Sequence, residues 1–138
     1  MSTVRFPFFS AACFCLLASC GNSSQPTNQV AGKLSEWSID MDETTATEGD
    51  ITFRIKNSGT IDHEFVVVKT EIPVGEFLIE GGLFPEDQTG IEVIDEIPPF
   101  SAGRTEELTV NLTEGQYQLV CNLPGHYQAG MHTSFIVE

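Results

Sequence analysis

Cys121, His126 and Met131 follow one another with four residues between each pair, on a stretch that also carries Pro124, Gly125 and Gly130. Pro124 and the glycines argue against a regular helix, so a thiol, an imidazole and a thioether share one loop. The chemistry open to that set is metal ligation. Soft sulfur holds Cu(I), imidazole serves Cu(II), and the combination suits copper better than its competitors, but one further histidine is wanting. The rest of the chain must supply it, together with a frame that brings it to the loop.

The chain has three histidines. His132 follows Met131 directly; on a strand it faces the opposite side, so it is expected at the surface and not as a ligand. His63 stands between the turn-like Asn57-Ser58-Gly59-Thr60 and the β-branched run Phe65-Val66-Val67-Val68. It is the candidate for the missing donor.

The frame reads as all-β. Trp37, Ile39 and Met41 alternate with polar residues, as do Ile51, Phe53 and Ile55, and then Leu108, Val110 and Leu112; each is the period of a half-buried strand. Tyr117 to Cys121 and about Thr133 to Val137 supply two more strands. Ile91 to Ile97 reads as an edge strand, and Phe77-Leu78-Ile79 as a short helix or strand among the many glycines and prolines between Ile72 and Pro99. Gly115-Gln116-Tyr117 has the pattern of a tyrosine corner. A Greek-key β-sandwich is the economical architecture, and in a sandwich the loops of different strands gather at one end.

Residues 1–19 read as a secretory signal, with Arg5 as its positive part and an apolar run from Phe6 to Ala18. That run is shorter than the roughly 18 to 20 residues that span a bilayer. Leu17-Ala18-Ser19-Cys20 resembles a bacterial lipobox, which implies a mature protein that begins at a lipidated Cys20. Residues 20–33 then read as the lipidated cysteine and a flexible tether, free of charge from Gly21 to about Gly32 and with a reach of about 20 Å, and 34–138 as the domain. Cys13 and Cys15 leave with the signal. Cys121 therefore has no disulfide partner, and an exported thiol without one calls for burial or a bound metal. The sequons at Asn22 and Asn111 carry no meaning in a bacterial lipoprotein.

From about Leu34 to Glu138 the domain resembles the cupredoxins, single-domain type 1 copper proteins. The motifs that carry the resemblance are Asn57-Ser58-Gly59 to His63 and Cys121-Asn122-Leu123-Pro124-Gly125-His126 to Met131. The four-residue spacings are those of auracyanin-like, rusticyanin-like and sulfocyanin-like members. The resemblance implies one copper ion with His63, Cys121 and His126 as strong ligands and Met131 as the long axial one. It further implies a His126 edge that emerges through an apolar patch, here Leu123, Pro124, Tyr127 and Ala129, as the electron port. One residue departs from the pattern: many members place Asn or Ser directly after the first histidine, where its side chain pins the cysteine loop, and this chain has Glu64. A carboxylate there can still accept a backbone N–H.

Twenty acidic residues against six basic ones give a formal charge of −14, and loss of Arg5 with the signal makes the chain one unit more negative. Such a surface repels phosphate backbones, which excludes nucleic acid as a partner and favours a basic protein patch. The function expected is that of a membrane-tethered one-electron carrier, monomeric, facing the periplasm or the cell exterior. Its partners would be cytochromes or membrane electron-transfer complexes. The alternative is an extracytoplasmic copper-tolerance or buffering protein, against which the scarcity of methionine counts. An enzyme is not expected, since further copper ions need more histidines than the chain has. Zinc binds similar ligands and competes in vitro.

Overall fold

The computed structural model describes residues 28–138. The signal sequence, Cys20 and the tether as far as residue 27 lie outside the described residues. Nine strands build two sheets: β1 (Asn28–Ser35), β2 (Ser38–Met41), β3 (Thr45–Ala46), β4 (Gly49–Asn57), β5 (His63–Thr70), β6 (Ile91–Phe100), β7 (Thr105–Leu112), β8 (Gly115–Val120) and β9 (His132–Val137). One sheet has the order β2-β1-β4-β7 and the other β3-β9-β8-β5-β6. Both are mixed, because β1 runs parallel to β4 and β3 parallel to β9.

The alternating segments become strands because one face of each closes on a shared core. Ile51, Phe53, Ile55, Val110 and Leu112 from the first sheet meet Phe65, Val67, Leu119, Phe135 and Val137 from the second. Phe53 sits at the centre, with ring centroids 5.4 Å from Phe65 and 5.3 Å from Phe135. Burying an aromatic side chain of this kind contributes about 1.5–3 kcal/mol. β5 differs, since Val66 and Val68 are buried on its outer face as well. Its valine run is continuous because the excursion between β5 and β6 covers that face with Phe77 and Phe84. Phe77 to Ile79 forms neither helix nor strand; the excursion's one pairing is an isolated bridge between Glu80 and Leu83.

Three further segments differ from the sequence reading. β1 starts at Asn28, so the last residues expected in the tether are a strand between β2 and β4. Only Val30 and Leu34 of β1 are buried and apolar, too sparse an alternation to stand out. Trp37 belongs to the two-residue turn between β1 and β2 and not to β2, and its φ of 71° is left-handed. The loop after Cys121 contains one helical turn, α1 (His126–Ala129), flanked by Gly125 and Gly130 at positive φ. The edge strand expected over Ile91 to Ile97 is β6, which runs on to Phe100, and the Tyr117 hydroxyl donates to the Thr113 carbonyl at 2.8 Å, closing the tyrosine corner. No helix among the described residues is long and apolar enough to cross a membrane.

Candidate metal centre

Cys121 and Met131 are placed by the β8–β9 ladder. Val120 pairs with His132, and the ladder runs one step further through the Cys121 N–H, which donates to the Met131 carbonyl at 3.0 Å. Residues opposite each other in an antiparallel pair point to the same face. Both side chains accordingly lie fully buried in the main core. The next residue, His132, turns to the other face and packs against Tyr127 in a tilted arrangement, with ring centroids 4.8 Å apart. It is partly buried there, with Nδ1 out of solvent and unpartnered, instead of lying open at the surface as the sequence suggested.

Between Cys121 and Met131 the loop is closed by its own backbone. The His126 N–H donates to Leu123, Met131 to His126, and Gly125 to Gly82 of the excursion, at 2.8–3.1 Å. The Asn122 side chain fastens the same loop to Phe84 through two backbone hydrogen bonds. His63 opens β5, and the buried Asn57 at the end of β4 organises its approach: the Asn57 amide donates to the carbonyls of Ile61 and Phe100, both at 2.8 Å, and its Oδ1 accepts from Gly59.

These elements bring His63, Cys121 and His126 together, their donor atoms all within 4.8 Å of one another. The Nδ1 atoms of His63 and His126 lie 3.3 Å apart, and Cys121 Sγ lies 3.4 Å from His126 Nδ1. A tetrahedral ion about 2.0 Å from nitrogen and about 2.3 Å from sulfur separates its donors by about 3.3 and 3.5 Å, so the spacing fits one first-row metal. A thiolate and two imidazoles beside a buried thioether select copper within that row.

Electrostatics favour deprotonated donors on the histidines and a held proton on the thiol. Burial lowers the proton affinity of His63 and His126, and for His63 the neighbouring His126 adds to it. Burial raises the Cys121 thiol, opposed by backbone N–H groups of Leu123 and Glu64. The Glu64 N–H lies 3.4 Å from Cys121 Sγ, and the Glu64 carboxylate accepts the Asn122 N–H at 3.1 Å. The residue that departs from the family pattern thus makes a hydrogen bond to the cysteine loop, with its own proton affinity raised by burial and the nearby Glu96.

The surface around His126 is only partly the one expected. Leu123 is half-buried, Pro124 and Ala129 are exposed, but Tyr127 is buried against Phe77 and Phe84 and takes no part. Trp37 takes the place instead, 50% exposed and edge-on to His126 with ring centroids 5.4 Å apart. Period-two alternation had put Trp37 on a strand; only its left-handed turn brings it here.

Comparisons with known proteins agree with this geometry. No curated protein matches the chain. Among solved structures, reduced auracyanin from the photosynthetic bacterium Roseiflexus castenholzii is 27% identical with a TM-score of 0.62, over 81% of this chain and 98% of that one. Auracyanin A, a "blue" copper protein from Chloroflexus aurantiacus, is 24% identical with a TM-score of 0.56, over 80% and 99%. Rusticyanin from Thiobacillus ferrooxidans is 19% identical with a TM-score of 0.54, over 80% and 78%; these last two show the shared fold. The model of the copper binding proteins, plastocyanin/azurin family, matches residues 29–138, and the chain belongs to that family.

Proposed function

We propose that the protein is a type 1 copper electron carrier, anchored to a membrane by lipid on Cys20 and exchanging single electrons with exported or membrane redox partners. The observation that carries this reading is the convergence of His63 Nδ1, His126 Nδ1 and Cys121 Sγ at metal-ligand spacing, with Met131 buried beside Cys121. Copper held there would supply a one-electron couple. The chain's part is to fix the donors before and after the electron moves. The β8–β9 ladder holds Cys121 and Met131, Asn57 holds the approach to His63, and Asn122 with Glu64 holds the loop. A site fixed in this way has little to rearrange. His126 is the donor nearest solvent, and Trp37, Leu123 and Pro124 around it give a partner an apolar landing place.

The point where a tether would join supports the same reading. In the β1–β4 register Asn28 pairs with Ile51 and Leu34 with Asn57, so the chain enters at the end of β1 far from the metal pole, about 20 Å away along the strand. A lipid at Cys20 would leave His126 facing away from the anchor, toward partners outside the bilayer. Adding Cu(II) to the protein should produce an intense visible thiolate-to-copper absorption that Cys121→Ser abolishes. A colourless complex would remove the type 1 assignment. Copper sensitivity on deletion with unchanged respiration would instead support a copper-tolerance role.

A further inference from the structure

The turn between β1 and β2 places one side chain against each imidazole. Trp37 stands edge-on to His126, and Glu36 reaches toward His63. The Glu36 carboxylate accepts the Thr60 N–H at 2.6 Å, the Ile61 N–H at 3.2 Å and the Thr60 hydroxyl at 3.2 Å, which fixes one of its oxygens 3.7 Å from His63 Nε2. That nitrogen is buried and has no hydrogen-bond partner among the described residues. Gly59 keeps the way between the two open: a Cβ at this position would lie 2.6 Å from Glu36 Oε1 and 2.9 Å from His63 Nε2. All three donors point at the carboxylate, the arrangement that suits an anion, so a negative charge faces the imidazole.

We propose that Glu36 is a positioning residue for the metal centre: its carboxylate keeps the His63 proton on Nε2, leaves the Nδ1 lone pair aimed at the shared site, and favours the more highly charged state of bound copper. The inference rests on the copper reading above. At 3.7 Å the contact is longer than a hydrogen bond, and it acts through charge on an imidazole N–H that has no acceptor among the described residues. An anion beyond the second nitrogen fixes the tautomer and makes the ligating nitrogen more basic. Asp62 also acts on His63 through its charge but makes no hydrogen bond to it, and Glu64 reaches the cysteine loop and not a histidine.

Two substitutions test this in the full chain. Glu36→Gln keeps the size and the acceptor oxygen but removes the charge; Gly59→Ala keeps the charge and drives a methyl between carboxylate and imidazole. Both should weaken Cu(II) relative to Cu(I) by about tenfold, which raises the midpoint potential by about 59 mV for one electron. In the metal-free protein, nitrogen NMR should show His63 protonated on Nε2, and both variants should shift toward a mixture of tautomers. Unchanged potential and unchanged tautomer in two folded, copper-binding variants would overturn the role of Glu36. A shift in Gly59→Ala alone would overturn it too, since removing the charge would then have no effect and displacement of the turn by the methyl would be the cause. Absence of the visible copper band in the unsubstituted protein would sink the copper reading instead, while the tautomer measurement would still decide what Glu36 does to His63.

Discussion

The donors are set up as neutral imidazoles beside a protonated thiol, and this fixes how the copper-free protein responds to pH. Burial lowers His63, His126 and His132, so the unfolded chain takes up protons first as pH falls. The unfolded state then binds more protons than the folded one. Stability is full above about 6.5 and is lost as pH drops from there through the lowered folded values. Cys121 works in the opposite sense. Its folded value lies above that of a free thiol, the unfolded chain loses the proton first, and stability falls as pH rises past about 8.5. Thermal melts of the metal-free protein should therefore peak between about pH 6.5 and 8.5. Copper removes the alkaline decline, because a bound thiolate has no proton left to lose, and binding near neutrality should release about one proton. A metal-free profile that kept climbing to pH 9.5 would contradict the protonated, buried thiol.

Three elements converge on the site, and each is anchored by a polar side chain doing backbone work. The most exposed to test is the approach to His63, where the Asn57 amide feeds two carbonyls and its oxygen caps Gly59. Asn57→Asp puts a buried carboxylate against the Ile61 and Phe100 carbonyl oxygens, leaves them without donors, and should destabilise the domain by about 3 kcal/mol. Copper affinity should fall with it, since His63 follows this turn. A loss below about 1 kcal/mol by denaturant melts would mean that the turn is held by its backbone alone. The strands on either side were legible because Ile51 to Ile55 and Leu108 to Leu112 alternate against one core, and the loop donors because they lie close together in sequence. β1 was not, because its polar, small residues gain their place from pairing on both edges. Tyr127 looked like surface from its loop position, and only the fold of the excursion, bringing Phe77 and Phe84 over it, buries it. The Glu36 contact depends on a turn distant in sequence and on the missing side chain of Gly59, which no local pattern records.

At the scale of the whole molecule, two surfaces set how a partner meets the site. The metal pole carries Trp37, Pro124 and half-buried Leu123 around His126, while the chain as a whole is strongly acidic. An apolar patch admits any partner that fits; the surrounding negative field decides which ones arrive. A basic redox protein is drawn in from a distance comparable to the Debye length, which shrinks from about 30 Å at 0.01 M salt to about 8 Å at 0.15 M. Its second-order rate of electron exchange should thus fall steeply over that range, whereas an acidic partner should speed up as salt is added. Once in contact, exchange should depend on the patch and not on salt. Trp37→Ala should slow transfer at saturating partner while leaving the salt slope unchanged. Stopped-flow measurements of the unsubstituted and Trp37→Ala proteins against one basic partner, across ionic strength, separate the two effects. If removing the indole changed the slope instead of the limiting rate, Trp37 would belong to the approach of the partner and not to the contact through which the electron passes.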